Sequence, residues 1–386
     1  MEKKNHITLN ILLLGIVSFL NDLSSEMITP ILPFFIASLG GAGIATGLVG
    51  GIRDSITSLL KVVSGYISDK TGKRKRLVFS GYFLSSVFKT FLALSKAWQH
   101  VLLFVGLERI GKGMRDAPRD AIIAQSMPHK KGKAFGFHRS LDTAGAILGS
   151  IFAVILFSWL GLSFKTIILI SAAVAFTSLI PLMFVKEKKT KINNIRLRAT
   201  LFALPKKLKL FLVITLLFGL ANFSYMFFIL KAQDLFGGPK SFTAPLLLYV
   251  LYNIVYASSS TPFGALSDKI GRKKVLMFGY ALFALTTAGF ALFHAVGAYI
   301  ILFSLYGVVN GIINGNERAF VADLSRAGVH GTSLGAYHTV KGLAALPASI
   351  IAGALWKISP AASFWYGALF SSFAVIVFWA TRRKYK

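Results

Sequence analysis

The chain contains no cysteine among its 386 residues, which excludes disulfides and thiolate-held metal sites. Acids are scarce: 14 Asp and Glu stand against 43 Lys and Arg, giving a formal charge of +29. Such a charge raises nucleic acid as a partner, but the basic residues are spread over several loops instead of forming one patch or arm, and nucleic acid is set aside. Walker A, HExxH and GxSxG patterns are all absent, so neither ATP drive nor an enzyme of those classes is expected. His138 and His338 stand alone along the sequence, so no metal or other cofactor is expected. A cleavable leader is not expected either, because the first apolar segment outruns a signal-peptide core and carries Asp22 and Glu26.

What is present is apolar: 55% of residues are hydrophobic, 34 are Phe, and they come in long blocks. That composition predicts an all-α integral membrane protein. Spanning takes about 20 apolar residues per helix. Cutting at Gly, Pro and charge clusters gives twelve candidate spans, residues 8–37, 42–67, 77–95, 99–124, 134–158, 163–185, 210–235, 242–266, 275–294, 297–320, 332–356 and 361–381. The basic stretch 186–209 divides them six and six, predicting bundles over 1–185 and 210–386 joined by a linker. Most Lys and Arg fall in the termini and in loops assigned to one side, so the positive-inside rule predicts a multi-pass protein of the cytoplasmic membrane with both termini cytoplasmic.

An internal repeat supports this division. GYISDKTGKRK at Gly65 returns as GALSDKIGRKK at Gly264, PRDA around Arg119 as ERAF around Arg318, and GKAFGFHRSLD at Gly132 as GTSLGAYHTVK at Gly331. All three pairs share one offset, 199 residues. With six helices per half, the halves are parallel repeats about an axis along the membrane normal.

On these residues the whole chain resembles a major facilitator superfamily transporter. The segment Gly65-x-x-x-Asp69-Lys70-x-Gly72-Lys73-Arg74 resembles the superfamily's cytoplasmic loop signature, and Gly264-x-x-x-Asp268-Lys269-x-Gly271-Arg272-Lys273 is its second copy. SFLNDLSSEM, RIGKGMRDAPRDA and AFGFHRSLD resemble a drug-resistance-like bacterial and archaeal subgroup. The resemblance implies gating by Gly65, Asp69, Gly72, Asp268 and Gly271, with Arg119 and Arg318 as partners of the two acids. It also links Arg109, in Arg109-x-x-Lys112-Gly113, to proton coupling. An exporter glycine series is partly present: Gly136, Gly145 and Gly149 keep its spacing, while Ser150 replaces a Pro and Ala153 and Val154 replace the final Gly pair.

Ionisable side chains within the bilayer are costly and mark function. The stretch Gly106–Gln125 packs Glu108, Arg109, Lys112, Arg115, Asp116, Arg119 and Asp120 onto one arc of a helix between apolar runs. Arg109 and Lys112 are placed toward a central cavity; the four after them approach the cytoplasmic end, where side chains snorkel or latch. Asp22 and Glu26 share a helix face beside Asn21, and two carboxylates in a low-dielectric site repel, so that one can hold a proton. Two readings stay open: proton coupling, or permanent pairing with Arg53 or Arg109. Arg139 and Asp142 read either as an intrahelical pair or, with their repeat mates His338 and Lys341, as groups near the pseudo-twofold where Asp142 opposes Lys341.

The second half offers few mid-membrane charges but many neutral polar groups: Asn222, Tyr225, Asn253, Tyr256, Asn310 and Asn314. These suit substrate contact or helix-to-helix hydrogen bonding. The expected protein is a monomeric secondary transporter in lipid, moving a small organic molecule, proton-coupled and exporting. Its coupling candidates are Asp22, Glu26, Asp54, Arg109 and Asp142. Substrate candidates are Asn21, Arg53, Lys112, Arg139, His338 and Lys341 with the six neutral groups. The alternative is a carrier for an anionic metabolite or siderophore-like chelate, held by the intramembrane Arg and Lys.

Overall fold

Backbone groups in hydrocarbon must find their hydrogen bonds within the segment itself, which helices allow. The computed structural model describes residues 7–41, 43–128, 130–187, 204–236, 240–325 and 330–381, and among these it contains no strand. The first half holds α1 (Leu9–Ile28), α2 (Leu32–Ser38), α3 (Gly43–Thr71), α4 (Arg74–Ala93) and α5 (Trp98–Ser126). It continues with α6 (Lys131–Val154), running into a π turn (Ile155–Trp159), then α7 (Phe164–Thr177) and α8 (Leu179–Met183). The second half holds α9 (Lys206–Ala221), α10 (Met226–Gln233), α11 (Lys240–Ile270), α12 (Arg272–Leu292), α13 (Val296–Leu324), α14 (His330–Ile358) and α15 (Pro360–Ala380). The chain termini and most of the 186–209 linker lie outside the described residues.

Helix occupies every one of the twelve candidate spans, and nine stretches among the described residues are long and apolar enough to cross a membrane. The other three are α3, α4 and α5. Their apolar runs are interrupted by Arg53 and Asp54, by the basic start of α4 and Lys89, and by the charges of α5. Composition alone therefore places nine, and what fails in the remaining three is charge rather than length.

Two expected spans are broken. Residues 8–37 divide at Pro30, whose ring removes a backbone donor, so α1 ends before it and α2 starts after it. Residues 210–235 divide at Asn222–Tyr225, where the backbone leaves the helical region (Asn222 φ −88°, ψ 73°). The groups freed there find side-chain partners: Ser224 N donates to Ser349 Oγ at 3.1 Å, and Leu220 O accepts from Tyr366 Oη at 2.6 Å. Non-helical backbone at membrane depth persists where neighbouring helices satisfy it in this way.

The two copies of the loop motif end their helices identically. Gly72 (φ +65°) and Gly271 (φ +96°) occupy the left-handed region, and their N–H groups donate to Ser68 O and Ser267 O, both at 3.0 Å. A side chain is strained there, which is why the repeat carries glycine at both positions.

The chain gathers into two compact units. The first comprises residues 1–31, 60–95 and 103–195; the second comprises 32–59, 96–102 and 196–386. In the first, α1 and α6 meet at backbone distance: a Cβ on Gly145 would lie 2.3 Å from Phe19 O, and one on Gly149 2.3 Å from Leu23 O. In the second, the core is phenylalanine-rich, with Phe211, Phe218, Phe228, Phe283 and Phe290 buried together.

Candidate functional site

In the first unit the close glycine contact brings polar residues of α1 and α6 together in rungs one turn apart. Ser18 Oγ and His138 Nε2 are 2.7 Å apart. Four residues on along both helices, the carboxyls of Asp22 and Asp142 come face to face. Asn21 Nδ2 reaches Asp22 at 3.5 Å, Arg139 pairs with Asp142 at 2.5 Å, and the Lys112 ammonium acts on Asp22 through space. The acid that meets Asp22 is thus Asp142 on another helix, whereas Glu26 lies beside Thr29 Oγ1 at 3.4 Å.

The charges of α5 are wired within the same unit. Glu108 pairs with Arg109 at 2.8 Å, Asp116 with Lys61 at 2.8 Å, and Arg119 with Asp120 at 3.0 Å and Asp116 at 3.8 Å. Arg119 also donates to Ser18 Oγ at 3.3 Å, which joins α5 to the α1/α6 seam. Arg115, expected to snorkel at the cytoplasmic end, is instead 1% exposed. Its guanidinium lies 4.1 Å over the Tyr82 ring and donates to Ser85 Oγ at 2.8 Å, because a planar cation is better satisfied by a ring face and a hydroxyl than by a long reach to water. Lys89, 2% exposed, donates to Ser24 Oγ at 2.8 Å and Ser25 Oγ at 3.0 Å, with no carboxylate within ion-pair distance among the described residues.

In the second unit the break at Asn222–Tyr225 sets Tyr225 against Arg53 of α3. Arg53 Nη1 donates to Tyr225 Oη at 2.6 Å, with the guanidinium carbon 5.1 Å from the ring centre. Asp54 is exposed. On α13, Asn310 Nδ2 donates to Tyr306 O at 3.0 Å, and Asn314 Nδ2 reaches Tyr256 Oη of α11 at 3.5 Å. Asn253 is buried on α11.

A group with no assigned role is the most enclosed acid here. Glu317, 0% exposed, accepts from Tyr280 Oη at 2.6 Å, Tyr337 Oη at 2.6 Å and Lys341 Nζ at 2.9 Å. Lys341 pairs with Glu317 and Asp142 with Arg139, each within its own unit. His338 lies beside the Tyr337 ring, 5.1 Å between centroids. Glu317 stands where the first half has Pro118, so the repeat gave no mate to flag it; an acid inside an apolar helix was the signal available.

Of the loop residues, Asp69 pairs with Arg74 at 2.8 Å and Asp268 with Arg272 at 3.0 Å, each within its own motif copy. The expected partners are engaged elsewhere, Arg119 as above and Arg318 at Asn314 O, 2.9 Å. A Cβ on Gly65 would touch Ala117 at 3.4 Å, an ordinary contact.

The sequence profile of the Major Facilitator Superfamily matches residues 14–251 and 241–386. An uncharacterized MFS-type transporter of Methanocaldococcus jannaschii is 51% identical over 372 residues, covering 95% of this chain and 94% of that protein. Multidrug resistance protein MdtG of a Rahnella species is 27% identical over 319 residues, 79% of this chain and 76% of its own. Among solved structures, the nucleoside transporter NupG superposes with TM-score 0.78 at 16% identity, covering 98% of this chain and 100% of that one, a likeness of fold. With two profile matches across nearly its whole length and a half-identical relative, the chain belongs to the Major Facilitator Superfamily and is a multi-pass membrane transport protein.

Proposed function

We propose that this chain is a proton-coupled secondary transporter that exports a small organic molecule. In this reading it spans the cytoplasmic membrane twelve times as two parallel six-helix bundles, 1–185 and 210–386, joined by the 186–209 linker. Both termini are cytoplasmic, and the chain works as a monomer by alternating access. The observation that carries the coupling is the buried contact between Asp22 and Asp142 on the α1/α6 seam. Two facing carboxyls in a low-dielectric site repel unless one holds a proton, and Arg139 and Lys112 beside them supply cations that compete with it. Export is favoured by the MdtG relatives. Glu26, Asp54 and Arg109 remain secondary coupling candidates, and the tyrosines and asparagines of the second unit are the substrate candidates. Asp69, Asp268 and the loop glycines keep the gating role.

The test is transport of ethidium, norfloxacin and 2-naphthoate by proteoliposomes under an imposed pH gradient. Flux that follows the gradient and loses that dependence in Asp22→Asn supports coupling; flux indifferent to the gradient, and unaltered in Asp22→Asn and Glu26→Gln, sinks it.

One observation favours a second reading, carriage of an anion: among the described residues the buried Lys89 ammonium hydrogen-bonds to serine hydroxyls and lies within ion-pair distance of no carboxylate. An anionic substrate would complete its coordination. Loss of 2-naphthoate flux in Lys89→Met and Arg139→Gln with no gradient dependence would select this reading.

A further inference from the structure

Five of the chain's 12 tyrosines line one wall of the second unit. Tyr249, Tyr252 and Tyr256 share a face of α11 at helical spacing, Tyr225 sits in the break between α9 and α10, and Tyr306 faces them from α13. Their rings run in sequence: Tyr225 to Tyr249 at 5.8 Å, Tyr249 to Tyr252 at 5.5 Å, and Tyr252 to Tyr256 at 6.1 Å and 13°. Tyr252 also stacks on Tyr306 at 4.9 Å and 24°, and Tyr306 on Phe228 at 4.2 Å and 10°.

A structural ring ladder in this unit would be built of phenylalanine, as the core beside it is. Tyrosine costs burial of a hydroxyl, so a row of them belongs where one side is wet. Consistent with that, Tyr225, Tyr252 and Tyr256 are only half-buried, as are Asn310 and Asn314 next to them. The second sign is Asn253, four residues past Tyr249 and three before Tyr256 on α11, and so beside both on the helix surface. It is 7% exposed, and its Nδ2 has no acceptor among the described residues. A buried amide donor without an acceptor is costly and calls for a bound group to take it.

We propose that this wall binds a planar aromatic molecule carrying a carbonyl or carboxylate. Its ring stacks on the near-parallel faces of Tyr252 and Tyr256, and its acceptor oxygen takes the Asn253 N–H. Arg53, held by Tyr225 at the far end of the row, adds positive charge to the same wall. The broken helix supplies the irregular backbone that lets the row open beside it.

This inference rests on the chain's being a small-molecule carrier, so it is tested without any gradient. Equilibrium binding of 2-naphthoate and of its saturated, non-planar analogue decahydro-2-naphthoate is measured on the purified full chain in nanodiscs. Naphthoate is expected to bind at least tenfold more tightly than the saturated acid. Tyr252→Leu and Asn253→Leu are expected to weaken it by about tenfold, and Tyr252→Phe, which keeps the ring, by less than about twofold. Equal binding of the two acids, no binding of naphthoate, or full binding by a folded Tyr252→Leu protein overturns the proposal. Tight naphthoate binding by a chain whose transport ignores the pH gradient would uphold it while removing proton coupling.

Discussion

The Lys341 ammonium donates to Glu317 Oε2 at 2.9 Å inside a cage closed by the hydroxyls of Tyr280 and Tyr337. Removing one partner of such a pair leaves a buried charge without compensation, whereas removing both can be nearly neutral. Lys341→Met should therefore cost about 3–5 kcal/mol of stability. Adding Glu317→Gln should restore most of it, since the amide oxygen still accepts from one tyrosine and the amide N–H can donate to the hydroxyl oxygen of the other. Chemical unfolding in mild detergent checks both; equal stability of Lys341→Met and wild type would contradict a structural role for the pair.

The glycines of α6 are not equivalent. A Cβ at Gly145 would lie 2.3 Å from the Phe19 carbonyl, while one at Gly136 meets nothing within 4 Å. Gly145→Ala should destabilise by about 1–3 kcal/mol as the helices are forced apart. Gly136→Ala should be neutral or stabilise by up to about 1 kcal/mol through helix propensity. Thermal unfolding of the two variants distinguishes the positions, and matching shifts would contradict the packing described.

The loop glycines predict the same outcome twice. Gly72 and Gly271 both hold positive φ, so Ala at either should cost about 1–2 kcal/mol, while Gly264→Ala, with nothing within 4 Å of its Cβ, should cost less. A difference between Gly72→Ala and Gly271→Ala larger than about 1 kcal/mol would argue against equivalent helix ends in the two copies.

The repeat makes much of the fold legible in the sequence. An offset held at three anchors named the second loop copy, and Gly72 and Gly271 do end their helices alike. The candidate site was legible as residue types but not as pairs. Asp22 and Glu26 share a face by sequence, yet Asp22 meets Asp142, because Gly145 and Gly149 let α6 approach α1 to backbone distance. Helical spacing says which residues share a face and nothing about which helix is pressed against it. Glu317 was missed for a related reason: its partners lie on α12 and α14, far apart in sequence, and its repeat mate is a proline. The break at Asn222 was hidden because no proline or glycine marks it; the side chains that satisfy it, Ser349 and Tyr366, come from α14 and α15.

Coupling is carried, on this reading, by the Asp22 and Asp142 pair, so their variants should separate drive from passage. Asp22→Asn and Asp142→Asn keep the size and one acceptor of each acid but remove its proton chemistry. The most direct measurement is accumulation of ethidium, norfloxacin or 2-naphthoate in proteoliposomes acidified inside, compared with exchange of the same compound at zero gradient. The prediction is gradient-driven accumulation that falls at least tenfold in either variant, with exchange at zero gradient retained. Accumulation that ignores the gradient in the wild-type chain, or that survives unchanged in both variants, would contradict proton coupling through this pair.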